Sequence, residues 1–263
     1  MRLTTILLSL VTASLAAPTF LDHANDYSDD LANYLSEVSR EIKRLERVSS
    51  STTCDASSVT LPSYATSPTT AATATSAATG LPSPTGKLKF VALGRGTQNY
   101  TCGDASATPV AIGAVASLYN ANCYAHKFEN ILQYLPSSAL SASLPSSANK
   151  QFYGMDLLGH HFFYDSTTPE FNLNLGAGQN NGILMTSKQA SLDAPEGAAE
   201  GEYGAVSWLY LTTKSGTVNP SGYSWSSVYR VDTAAGAAPS TCAEYANSAF
   251  EIQYSALYYI YGK

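Results

Sequence analysis

Apolar positions follow two different periods along this chain. Between residues 28 and 48, Leu31, Leu35, Val38, Ile42 and Leu45 recur at alternating intervals of four and three, the seam of an amphipathic helix. Ser28, Asp29 and Asp30 open that stretch while Lys43, Arg44 and Arg47 close it, so each sign suits its end of the helix dipole. The seam predicts a helix packed on the main domain; its heptad spacing leaves weak self-association through residues 28–48 as the alternative. From residue 87 the period shortens. Strand-like runs are expected at 87–93, 98–102, 111–119, 152–158, 161–164, 183–186, 205–212, 226–231 and 249–261, separated by turns such as Asn180-Asn181-Gly182. One helix is expected at 127–134, stopped by Leu135-Pro136. Short strands without alternating helices predict an all-β fold, a single β-sandwich or barrel over residues 87–263.

The two ends of this pattern differ in kind. Residues 3–15 are an apolar run behind Arg2, and the small residues Ser14 and Ala16 flank a cleavage point, so residues 1–16 read as a secretory signal peptide. The run is too short to cross about 30 Å of hydrocarbon, and no other stretch is long and apolar enough. Residues 17–48 then form an N-terminal segment carrying the helix. Of the 38 residues in 49–86, 19 are Ser or Thr and four are Pro, with Asp55 the only charge. Such a segment buries too little apolar surface to offset its ordering entropy, and reads as a low-complexity linker and O-glycosylated stalk. The final Tyr258 to Lys263 stretch is neither a lipid-anchor tail nor a retention signal. The expected destination is extracellular.

Charge and cysteine usage narrow the picture further. A net charge of −6 with 14 basic residues in 263 argues against nucleic acid and against an anionic membrane surface, since both need clustered Lys and Arg. Four cysteines in a secreted chain read as two disulfides with three possible connectivities. There is no C-x-x-C and no histidine pair at ligand spacing, so no metal is expected. If 98–102 and 110–119 form a hairpin, Cys123 lies about a dozen residues beyond the point opposite Cys102, at roughly 3.3 Å each. That exceeds the roughly 7 Å a disulfide tolerates between Cα atoms. Cys102–Cys242 with Cys54–Cys123 is therefore favoured.

Few residues carry legible chemistry. Gly94-Arg95-Gly96-Thr97-Gln98-Asn99 lacks the third glycine and the following helix of a dinucleotide motif, so it predicts a tight turn entering a strand and no cofactor. Asn99-Tyr100-Thr101 is the one N-glycosylation sequon. His160 and His161 are flanked by Asp156 and Asp165, but neighbours on a strand face opposite ways and cannot grip one metal together. His161 with Asp165 or Arg230 is the candidate catalytic set, against the simpler reading of a buried, hydrogen-bonded histidine. Glu200 and Glu202 read as a solvated acidic loop rather than a glycosidase pair. Trp208 reads first as a core residue and second as a sugar platform. Fifteen of 18 tyrosines follow Lys87, and some of those on the last strand must face outward unless both its sides are covered.

The segment Gly94 to Cys102 resembles the opening motif of a secreted family called domain of unknown function 3455. The likeness continues through Gly159-His160-His161-Phe162-Phe163, Thr167-Thr168-Pro169, Ala205-Val206-Ser207-Trp208-Leu209, the run from Val228 to Pro239, and the tyrosine-rich final strand. It spans about 170 residues and leaves out the helix at 28–48. The resemblance implies a protein common in filamentous fungi, with bacterial relatives and no established activity, and places His161, Trp208 and Arg230 in family motifs. Some members carry a malate-dehydrogenase label, which the failed dinucleotide motif does not support. Ala235 stands where the family often has glycine and Leu257 where it often has an acid, so no acid role carries to position 257. Two expectations follow. The first is a secreted, non-enzymatic protein binding cell-wall polysaccharide, other carbohydrate or a host surface, with Trp208, Tyr229 and Tyr258 as ligand-binding candidates. The alternative is an extracellular carbohydrate-active or other hydrolytic enzyme using His161.

Overall fold

Strand β1, Lys87–Thr101, is the backbone of the molecule: its 15 residues pair along almost their whole length with β9, Ala249–Gly262, and from Ala92 to Thr101 with β2, Val110–Asn120. The computed structural model describes residues 33, 36–38, 40, 54–66, 80–145, 150–174 and 180–263. After β2 come three short helices, α1 (Asn122–Lys127), α2 (Glu129–Leu132) and α3 (Leu135–Ser141). The remaining strands are β3 (Gln151–Phe152), β4 (Met155–Asp165), β5 (Thr168–Asn172), β6 (Ile183–Leu192), β7 (Trp208–Thr213) and β8 (Trp225–Ala235). Neighbours pair in the order β2-β1-β9-β8-β7-β6-β5-β4, every pair antiparallel, and β2 also pairs with β4. The result is a closed eight-stranded barrel with β3 appended to β4. Closure removes every free edge except that of the two-residue β3.

The barrel has two apolar layers. Alternation along β9 sends Tyr254, Ala256, Tyr258 and Ile260 inward, and Leu257, Tyr259 and Tyr261 outward. The outer layer is covered by the three helices and by residues 54–66, so all four of these tyrosines are at most 3% exposed. Tyr259 and Tyr261 thus face outward without being exposed, because both faces of this strand are covered. At one end of the barrel Trp225 acts as a plug, 6.1 Å from the Phe90 ring and 4.9 Å from that of Tyr223, with Nε1 donating to the Asn181 carbonyl at 2.9 Å.

The glycine-rich motif lies inside β1, not in the expected turn. Gly94 and Gly96 face the interior, where a Cβ on Gly94 would lie 2.4 Å from the Tyr258 ring and one on Gly96 1.9 Å from the Val115 carbonyl oxygen. The glycines answer a close approach rather than a bend. Between them Arg95 points outward and is 1% exposed. Its Nε donates to the Ala139 carbonyl at 2.8 Å, Nη2 to those of Leu140 and Ala142 at 3.1 Å, and Nη1 to those of Gly96 and Tyr254. A cation against the last carbonyls of α3 clamps that helix to the wall.

Several expected boundaries shift. The helix expected at 127–134 is broken at Phe128, and Pro136 starts α3 instead of stopping its predecessor, because proline's fixed φ suits the first helical turn. The runs 152–158 and 161–164 are rearranged into a Tyr153-Gly154 hairpin turn, both residues at positive φ, followed by the single strand β4. Residues 54–66 of the expected linker lie on the barrel wall, with Leu61 and Ala65 buried beside Leu81, because a disulfide from Cys54 to Cys123 ties them down. The second disulfide joins Cys102 to Cys242 across 140 residues, completing the connectivity set out above. The expected signal peptide at 1–16, residues 67–79 and most of 28–48 lie outside the described residues; of the expected helix, Asn33, Ser36, Glu37, Val38 and Arg40 are helical and Val38 is buried in the outer layer.

Candidate functional site

Opposite the Trp225 plug the barrel opens into a cavity of about 410 Å³. Its deep wall is built from inward positions of five strands: Tyr258 from β9, Arg230 from β8, Leu211 from β7, Phe171 from β5 and His161 from β4. Gln98 and Tyr100 of β1 line one side, and Lys188 with the β4–β5 turn forms the rim. An eight-stranded barrel is just wide enough to be filled by side chains or to hold one small ligand. Here small residues on β2, Ala114 and Ala116, leave room on one side.

His161 is 4% exposed, its ring stacked on Phe171 at 4.3 Å and 10°. Nδ1 lies 2.8 Å from the Glu170 carbonyl oxygen, which only accepts, so Nδ1 carries the proton and Nε2 the lone pair. Burial, with the Arg230 charge adding to it, holds the imidazole down to about 4. His160 faces the other way, half-buried, within 3.4 Å of the Ser117 hydroxyl. Arg230 is 8% exposed, and its Nε and Nη2 both donate to the Ser207 carbonyl at 3.2 and 2.8 Å. Among the described residues no carboxylate lines this cavity. The Tyr258 hydroxyl is hydrogen-bonded to that of Tyr254 at 2.8 Å and lies beside the guanidinium. The Gln98 Nε2 amide is buried with no acceptor among the described residues.

The sequence candidates separate accordingly. His161, Arg230 and Tyr258 meet in the cavity. Asp165 does not join them: it accepts from the Thr167 amide and hydroxyl and the Thr168 hydroxyl in the exposed β4–β5 turn, and these bonds pull its carboxyl to about 2. Trp208 and Tyr229 pack in the outer layer, 2% and 0% exposed, where the Tyr229 hydroxyl donates to the Pro82 carbonyl at 2.9 Å. Asn99 of the sequon sits half-buried on β1, its Oδ1 accepting from Thr97. Glu200 and Glu202 are exposed in a turn. Among the described residues no group of acids, histidines and cysteines is arranged to hold a metal. Sequence reading missed Phe171 and Gln98: Pro169 disguised β5 as a loop, and the glycines disguised the middle of β1 as a turn.

Residues 82–262 match the family described as "Protein of unknown function (DUF3455)", and residues 8–68 match one described as "Protein of unknown function (DUF2990)". No curated protein and no solved structure matches the chain.

Proposed function

We propose that this chain, which belongs to the DUF3455 family, is a secreted, non-enzymatic binding protein whose barrel mouth takes up a small acidic molecule with an apolar body. The observation that carries this reading is Arg230, a buried cation facing a cavity that contains no carboxylate. An unpaired buried charge is costly to keep, and an anionic ligand supplies its missing partner. Lys188 at the rim adds a second positive charge on a chain of net −6. The unsatisfied Gln98 amide offers a further donor, while Phe163, Phe171, Leu209 and Leu211 offer an apolar wall. The volume falls in the usual range of small-molecule pockets.

The leader sequence and two disulfides support an extracellular setting. A cell wall or host surface remains the proposed context. Burial of Trp208, Tyr229 and Tyr258 takes away the flat aromatic platform a polysaccharide chain would need, so an enclosed small ligand is the better fit. The alternative, a hydrolytic enzyme using His161, draws on His161 and Arg230 sharing one cavity. Among the described residues no carboxylate lines that cavity, and an imidazole held near 4 is a weak base at neutral pH. A thermal-shift panel of apolar carboxylates, uronic acids, neutral wall oligosaccharides and amines tests the reading. Apolar carboxylates are expected to stabilise most, by about 2.7 kcal/mol at a hundredfold excess over Kd; stabilisation by neutral oligosaccharides alone overturns it.

A further inference from the structure

The outer face of the barrel holds a second, electrically opposite hollow. Clefts of about 510 and 350 Å³ meet at Tyr64, Gln133 and Asp232, which line both. The larger also draws Asp193 and Glu196 from the β6–β7 loop, and the smaller draws Glu129 from α2. Among the described residues no Lys, Arg or His lines either. A break in the β8–β9 register between Val231 and Ala234, with Asp232 at φ 48°, turns the Asp232 side chain out of the wall. Its carboxylate oxygens accept from the Tyr64 hydroxyl at 3.1 and 3.3 Å. Burial, opposed only in part by that bond, raises the carboxyl to about 7.

An independent observation lies beside it. Trp208 lines the larger cleft, is 2% exposed, and its indole Nε1 is buried with no acceptor among the described residues. The Tyr64 ring, 5.7 Å from the indole, is 51% exposed and lines the cleft. The hollow therefore offers negative charge and aromatic surface for a cation, and one unused donor for an oxygen. We propose that the cleft where Tyr64, Trp208 and Asp232 meet binds a small organic ammonium ion that also carries an oxygen acceptor. The cation sits against the Asp232 carboxylate and the Tyr64 ring, and the oxygen accepts from Trp208 Nε1.

Binding a cation there requires the proton of Asp232 to leave. Affinity therefore rises about tenfold per pH unit below about 7 and levels off above it. The other groups facing the site, Asp193, Glu196 and Glu129, are acids on the loop and helix packed against it, and burial keeps the Tyr64 and Tyr259 hydroxyls protonated across this range. Choline is the probe, because its fixed charge does not titrate and its hydroxyl supplies the acceptor; its uncharged carbon isostere is the control. Calorimetric titration of the full chain at several pH values should show choline binding that strengthens toward pH 7, with release of about one proton at the acid end. The isostere should not bind, and Asp232→Asn should lose the pH-dependent part. Should Asp232→Asn fail to fold, the proton release, measured on the wild type in two buffers of different ionisation enthalpy, decides alone. Absence of saturable choline binding, equal binding of the isostere, or binding without proton release overturns the proposal.

Discussion

Arg230 and Asp232 stand two residues apart on β8, yet face opposite sides of the barrel wall, and neither meets a side chain of opposite charge. Arg230 looks into the barrel cavity, which holds no carboxylate; Asp232 looks into the outer clefts, which hold no base. The break in register between Val231 and Ala234 is what separates them, since strict alternation would put residues two apart on one face. Among the described residues the one ion pair is the exposed Arg40–Glu37 contact, which involves neither.

This arrangement has a consequence for stability against pH. His161 is held near 4, below its unfolded value of 6.5, so its contribution is complete above about 6.5 and is lost as pH falls toward 4. Asp232 is raised to about 7 from 3.8, so its contribution is complete below 3.8 and is lost as pH rises through 7. Each is worth on the order of 3 kcal/mol, and across the interval they share the two slopes oppose. Wild-type stability in urea should be nearly flat between about pH 4 and 6.5 from these two groups. Asp232→Asn should unmask stability that rises with pH, and His161→Gln stability that falls. Parallel slopes in the two variants would show the assignment to be wrong.

The glycines of β1 make a sharper test of packing. Gly94→Ala places a methyl group 2.4 Å from the ring of Tyr258, a cavity-lining residue that must shift to admit it. A loss of about 1–3 kcal/mol is expected, with ligand binding weakened along with it. Gly96→Ala meets backbone, the Val115 carbonyl at 1.9 Å, and should cost more because the β1–β2 ladder must part. Urea unfolding of the two variants checks the order; a Gly96→Ala protein as stable as wild type would contradict the close approach.

The two disulfides should fail differently. Cys102–Cys242 closes a 140-residue loop over the barrel, and its removal should cost about 2–5 kcal/mol of global stability. Cys54–Cys123 holds residues 54–66, including Tyr64, against the wall. Replacing both of its cysteines by serine should leave the barrel folded but open this segment to proteolysis. Cleavage confined to it, followed by mass spectrometry, is the expected result. Global unfolding on loss of Cys54–Cys123 would show that the segment is part of the folding core.

Much of the barrel was legible because antiparallel strands advertise themselves by length, alternation and turn residues. Strand β9 was read almost to its ends, and the opposite facing of His160 and His161 follows from the pleat alone. Three things were hidden. Closure depends on β2 meeting β4, a pairing no local pattern encodes. The run Gly94-Arg95-Gly96 carries the composition of a turn, and only the Tyr258 ring and the β2 backbone explain it as strand. Residues 54–66 carry the composition of a linker, and only Cys54 hinted that they are packed. For the site, the sequence singles out His161, Arg230 and Tyr258, but alternation alone does not tell that Trp208 and Tyr229 belong to the outer layer while Arg230, next to Tyr229, belongs to the inner one.

Calorimetric titration of cinnamate and of its neutral amide into the protein, alongside an Arg230→Gln variant of unchanged fold, tests the binding role proposed for the barrel mouth most directly. Cinnamate should saturate the wild type at one site per chain. The amide, and cinnamate with the variant, should bind at least about tenfold more weakly, since each removes one partner of a buried charge pair. Binding of acid and amide with equal affinity, binding undiminished in Arg230→Gln, or no saturable binding by cinnamate or any other apolar carboxylate in a graded series would contradict it.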